Sequence, residues 1–103
     1  NLEEAKKTAE RIQYDDIKSQ AYCAIATEEA KSNPEAANQT FLLAKEAAER
    51  LPYDYSKSQA YCAIATVEAK LNLEEAKQTA ERIQDDILKS KAYCAIAAAL
   101  LHR

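Results

Sequence analysis

Apolar and polar positions along this chain recur with the period of a helix. Leu2, Ala5, Ala9 and Ile12 share one face, with Glu, Lys and Thr filling the positions between them. Leu73, Ala76, Ala80 and Ile83 repeat that stripe, and Ala37, Phe41, Ala44, Ala48 and Leu51 form a longer version of it. All follow the i, i+3, i+4, i+7 rule of a helix that buries one side. A second kind of segment carries Ile17, Ala21, Ala24 and Ile25, with Tyr22, Cys23, Ala26 and Ala30 around them. It is apolar over more than half its circumference, as expected of a helix covered on two sides. The two kinds alternate, and the pattern predicts six helices at about 2–13, 16–31, 34–51, 54–70, 73–84 and 86–102. Asn1, Asn33 and Asn72 are placed to cap the first kind, with acidic residues in the turn that follows or, at Asn33, Pro34 in the first helical position. Asn1 with Glu4 and Asn72 with Glu75 resemble capping boxes. Asp16, Asp54 and Asp86 are expected to cap the second kind.

The alternation is a repeat. KSQAYCAIAT occupies positions 18–27 and returns unchanged at 57–66, and KSKAYCAIAA follows at 89–98. The openings NLEEAKKTAERIQ and NLEEAKQTAERIQ differ at one position, Lys7 against Gln78. Three units result, 1–32, 33–71 and 72–103, and the middle one is seven residues longer than the others. It keeps the same start and end, so the extra residues lie inside one element. Seven residues make two helical turns to within ~20°, so a helix absorbs them without rotating its apolar face. Short connections force antiparallel neighbours. One hairpin cannot cover its apolar faces, whereas three stacked hairpins can. The expectation is a single all-α domain over 1–103, a short right-handed α-solenoid of three stacked antiparallel helix pairs. A closed six-helix bundle is the alternative.

Composition supports helices and removes several functions. The chain has no glycine, two prolines and a single valine, Val67. A net charge of −3 and scattered Lys and Arg give no concentrated basic face for nucleic acid. No apolar run approaches the roughly 20 residues that span a bilayer. No targeting pattern is visible. There is no methionine, and the chain opens on the helix-start signal Asn1, which suggests a processed product or a piece of a longer array. The compartment stays open; reduced thiols fit a cytosol without establishing it.

The residues with chemical potential read as structural. Cys23, Cys62 and Cys94 recur in stacked helices, about 8–10 Å or more apart, too far for a disulfide. They lack zinc-ligand spacing and are expected to be small buried packing residues beside alanines. The doublets Glu3–Glu4, Asp15–Asp16, Glu74–Glu75 and Asp85–Asp86 all fall at helix starts, where negative charge is favoured by ~0.3–1 kcal/mol. His102 suits the last turn of the last helix. Tyr22, Tyr61 and Tyr93 are expected at the core edge with hydroxyls reaching water. Glu46–Arg50 and Glu3–Lys7 are spaced as i, i+4 surface pairs. No glycine-rich phosphate loop, metal cluster or nucleophile–base arrangement is present, so neither catalysis nor a cofactor is expected.

The AYCAIA helices carry an aromatic followed by Ile–Ala, at Tyr22 with Ile25–Ala26, Tyr61 with Ile64–Ala65 and Tyr93 with Ile96–Ala97. The helices after them carry a small residue near their start, Ala37 and Ala76. In these features the chain resembles the tetratricopeptide-repeat (TPR) family. Glu29 and Glu68 stand where that family has a second aromatic. The resemblance implies that the AYCAIA helices line a concave face. The implied groove positions are Gln20, Cys23 and Thr27, then Gln59, Cys62 and Thr66, then Lys91, Cys94 and Ala98. It implies a protein or peptide ligand there, with Lys91 as the one base in the ladder. A binding or scaffold module is therefore the expected function.

The two ends give the alternative. The closing helix over Ala97–Leu101 lacks the following helix that Asn33 and Asn72 start for its equivalents. Residues Leu2, Ala5, Ala9 and Ile12 of one copy could meet Ala97, Leu100 and Leu101 of another, giving head-to-tail homo-oligomers, rings or filaments. A following repeat of a longer solenoid would cover the same end.

Overall fold

The computed structural model describes residues 1–102. Six helices are present, α1 (Leu2–Glu10), α2 (Asp15–Glu29), α3 (Pro34–Glu49), α4 (Asp54–Glu68), α5 (Leu73–Glu81) and α6 (Asp86–Leu101), with no strand among the described residues. The all-α class holds. Helix α3 is seven residues longer than α1 and α5, so the insertion in the middle unit lies within a helix.

Local chemistry sets the boundaries. The side chains of Asn1, Asn33 and Asn72 accept hydrogen bonds from the backbone N–H of Glu4, Ala36 and Glu75 at 3.1, 3.2 and 3.2 Å. Each satisfies one of the donors that a helix start leaves open. The expected caps of the other three helices are corrected. Asp16, Asp54 and Asp86 lie inside the first turns, and the capping positions belong to Tyr14, Tyr53 and Asp85. Only Asp85 of these caps with its side chain, accepting from Leu88 N–H at 2.9 Å. The helices also end one to three residues earlier than the periodicity predicts. Ile12, Leu51 and Ile83 N–H bond three residues back, to Ala9, Ala48 and Ala80 C=O, tightening the last turn. Among the described residues no backbone φ is positive, so no helix ends on the left-handed residue that glycine usually supplies.

The chain divides into two compact units, one over Asn1–Leu51 and one beginning at Pro52. The division falls in the turn between α3 and α4, inside the middle repeat. In the first unit α2 packs against α1 and against α3. Its core includes Tyr22, Ile25, Ala26, Ala37 and Phe41. Burying each large side chain contributes about 1.5–3 kcal/mol, and the alanines let the helix backbones approach. The Ser19 hydroxyl donates to Ala44 C=O at 3.0 Å, and Arg50 Nε donates to Asp15 Oδ1 at 3.1 Å. Ala9 is buried here, while Leu2 is exposed and Ala5 and Ile12 are partly covered.

In the second unit α4 packs against α5 and α6, and α5 against α6. The core includes Tyr61, Ile64, Ala65, Ala76, Ile83 and Ile96. Asp85 N–H donates to Ser58 Oγ at 3.2 Å, so Ser19 and Ser58, equivalent in the repeat, both tie one helix to another. Tyr22 and Tyr61 are buried almost completely and Tyr93 is open, which corrects the expectation of three core-edge tyrosines.

Candidate functional site

The groove positions fall unevenly. On α2, Gln20 is exposed, Thr27 half-buried and Cys23 buried. On α4, Gln59 and Thr66 are exposed and Cys62 is half-buried. On α6, Lys91, Cys94 and Ala98 are all exposed. The expectation of three buried cysteines therefore holds at Cys23 and is corrected at Cys94, whose equivalent helix face is open to solvent; Cys62 and Cys94 are free thiols. The hydroxyls of Thr27 and Thr66 donate to the backbone C=O four residues earlier, at Cys23 and Cys62, both at 2.8 Å. With that proton engaged, each presents a methyl group and an acceptor lone pair, and neither is placed as a nucleophile.

Within the second unit the C-terminal parts of α4 and α6, with Leu73 at the start of α5, border a concavity of about 530 Å³. Thr66 and Ala98, two of the implied groove positions, line it together with Lys70, Leu71, Ala95 and His102. The size lies within the 300–1,000 Å³ typical of ligand pockets. Its surface is mostly alanine and leucine, with Lys70 and His102 as its ionisable groups and no carboxylate in the lining. His102 is the C-cap residue of α6, which places the ring at the negative end of that helix.

The polar residues that sequence reasoning missed are buried ones. Glu29, nearly inaccessible, accepts a hydrogen bond from Thr40 Oγ1 at 2.5 Å through Oε1. Lys6 Nζ lies 2.6 Å from its other oxygen, Oε2. Three helices, α1, α2 and α3, thus meet at one carboxylate. Glu68, equivalent to Glu29, accepts from Thr79 Oγ1 at 2.6 Å and ties α4 to α5. The signal was a Glu followed eleven residues later by a Thr, present twice. Lys6 is held above the ordinary lysine range, first by its bond to Glu29 and against the opposing effect of burial. Burial pushes the Tyr22 hydroxyl up, helped by the Glu10 charge and opposed by that of Arg50.

Among the described residues no group of three or more His, Cys, Asp or Glu gathers where it could hold a metal ion, and no helix is long and apolar enough to cross a membrane. Compared with known proteins, the chain matches no family model, no curated protein and no solved structure.

Proposed function

We propose that the chain is a helical-repeat binding module of the tetratricopeptide type, a short right-handed α-solenoid whose AYCAIA helices present a groove to a peptide or protein. The reading gains support from the way the same partners recur: an AYCAIA helix packs against the helix that follows it in both units, α2 on α3 and α4 on α5. The observation that carries the function is the concavity bordered by α4 and α6, which both Thr66 and Ala98 line. An apolar floor with Lys70 and His102 beside it suits a segment that inserts an apolar side chain next to an acidic group.

The test is selection from a random peptide library on the wild-type protein and on Ala98→Arg, a change at an exposed position that fills the concavity. The wild type is expected to enrich a motif with an apolar residue beside Asp or Glu, and A98R to lose it. Substituting Gln59 and Lys91 at the groove should weaken the selected peptides and leave any self-association unchanged. Enrichment of nothing, or of the same peptides by A98R, would contradict the reading.

A further inference from the structure

Helices α2, α4 and α6 carry almost the same sequence, yet one face of α6 stands open. Tyr61 is 2 % exposed and its equivalent Tyr93 is 40 %; Glu68 is 1 % exposed and its equivalent Leu100 is 45 %. Ala65 is fully buried, whereas Ala97 is exposed. Tyr93, Ala97, Leu100 and Leu101 are spaced i, i+4, i+7, i+8 and so form one stripe. This stripe is distinct from the face of Ala95, Ala98 and His102 that lines the concavity.

On α4 the corresponding stripe is covered by α5, and the contact has a definite chemistry. The Arg82 guanidinium lies 4.7 Å from the centre of the Tyr61 ring, and Thr79 reaches Glu68. In the first unit the equivalent Thr40 reaches Glu29, and Arg50, whose charge is felt by Tyr22, bonds to Asp15 at 3.1 Å. The repeat therefore contains three such tyrosines and three such arginines. Two of the tyrosines, Tyr22 and Tyr61, are buried inside the chain, and Tyr93 on α6 and Arg11 at the end of α1 are both left exposed. Helix α1 is also the near-copy of α5, with Thr8 where α5 has Thr79. Thr8 is exposed, and Thr79 is fully buried.

We propose that the open stripe of α6 is an interface for a second copy of this chain, which lays its α1 there as α5 lies on α4. In that contact Arg11 of one copy covers the Tyr93 ring of the other, a cation over an aromatic face. Thr8 faces Leu100. The Thr8 hydroxyl already donates to Glu4 C=O at 2.8 Å, so replacing the buried glutamate by leucine at this position orphans no donor. The contact is heterologous, because the surface used on α6 differs from the surface used on α1.

The test is sedimentation of the 103-residue chain over micromolar to millimolar concentrations, with Ala97→Lys and Thr8→Lys. Both positions are exposed, so both variants should keep the helical content of the wild type by circular dichroism. Concentration-dependent association is expected for the wild type and is lost in each variant alone. An equimolar mixture of A97K and T8K should form a one-to-one dimer, because each supplies the intact surface the other lacks. Arg11→Ala and Tyr93→Ala should each weaken association about two- to five-fold, and the double variant no further than the stronger of the two. A wild type that stays monomeric throughout would overturn the proposal and assign the stripe to some other cover. Association that survives A97K or T8K, or a mixture that fails to dimerise, would overturn it as well.

Discussion

Equivalent residues in this chain do unequal work, and burial decides which. Tyr22 is the clearest case. Its ring was legible from the sequence as a packing group, but its near-complete burial was not, because that depends on how closely the neighbouring helices α1 and α3 pack against α2. The covered hydroxyl has a thermodynamic consequence. The Tyr22 hydroxyl is held above its ordinary value of about 10 by burial, and Lys6 is held above its own by Glu29. A group raised in the folded state contributes stability that is complete below its unfolded value and disappears as pH climbs through the folded one. Stability should therefore fall above about pH 10 on account of these two groups. Denaturant titrations of the wild type and Tyr22→Phe should show a shallower alkaline decline in Y22F. An identical decline in both would contradict the assignment to Tyr22.

At the level of helices, periodicity located all six, and the asparagine caps and the seven-residue insertion in α3 were readable for direct physical reasons. Helix ends were less readable. Without glycine, each helix closes by tightening its last turn, and the apolar pattern runs on past the last helical residue, as at Ile12 and Ile83. The Asp doublets named the right turns and the wrong capping residues, because periodicity fixes a helix face more firmly than its first residue. The links between helices were hidden too, since a glutamate reads as a surface residue until its partner is known. Thr40 and Thr79 lie within hydrogen-bond distance both of the carbonyl four residues back and of Glu29 or Glu68 on the neighbouring helix, while Thr8 bonds within its own helix. Replacing Thr40 or Thr79 by valine keeps the shape and removes the donor, which should cost about 1–3 kcal/mol. Thr8→Val, at an exposed site, should stay within about 0.5 kcal/mol. Equal costs in the three variants, measured by urea unfolding, would mean that the buried pairs do not join the helices energetically.

For the molecule as a whole, the sequence made the repeated hairpin plain, because identical segments can bury identical faces only against similar neighbours. It left open how far that covering extends. The implied groove was legible only in part: Thr66 and Ala98 share a concavity, while Cys23 is enclosed and unavailable to a ligand. Identical letters at Cys23, Cys62 and Cys94 gave no warning of their different exposure, which depends on what packs over each helix. The same difference separates Ala26 and Ala65, both fully buried, from the exposed Ala97. The most direct measurement is the unfolding free energy of Ala26→Lys, Ala65→Lys and Ala97→Lys at a concentration where the protein is monomeric. Forcing a charge into a filled contact should cost Ala26→Lys and Ala65→Lys at least about 3 kcal/mol each, whereas Ala97→Lys should change stability by less than about 0.5 kcal/mol. Three similar values would contradict the account, since the repeated helices would then be covered alike.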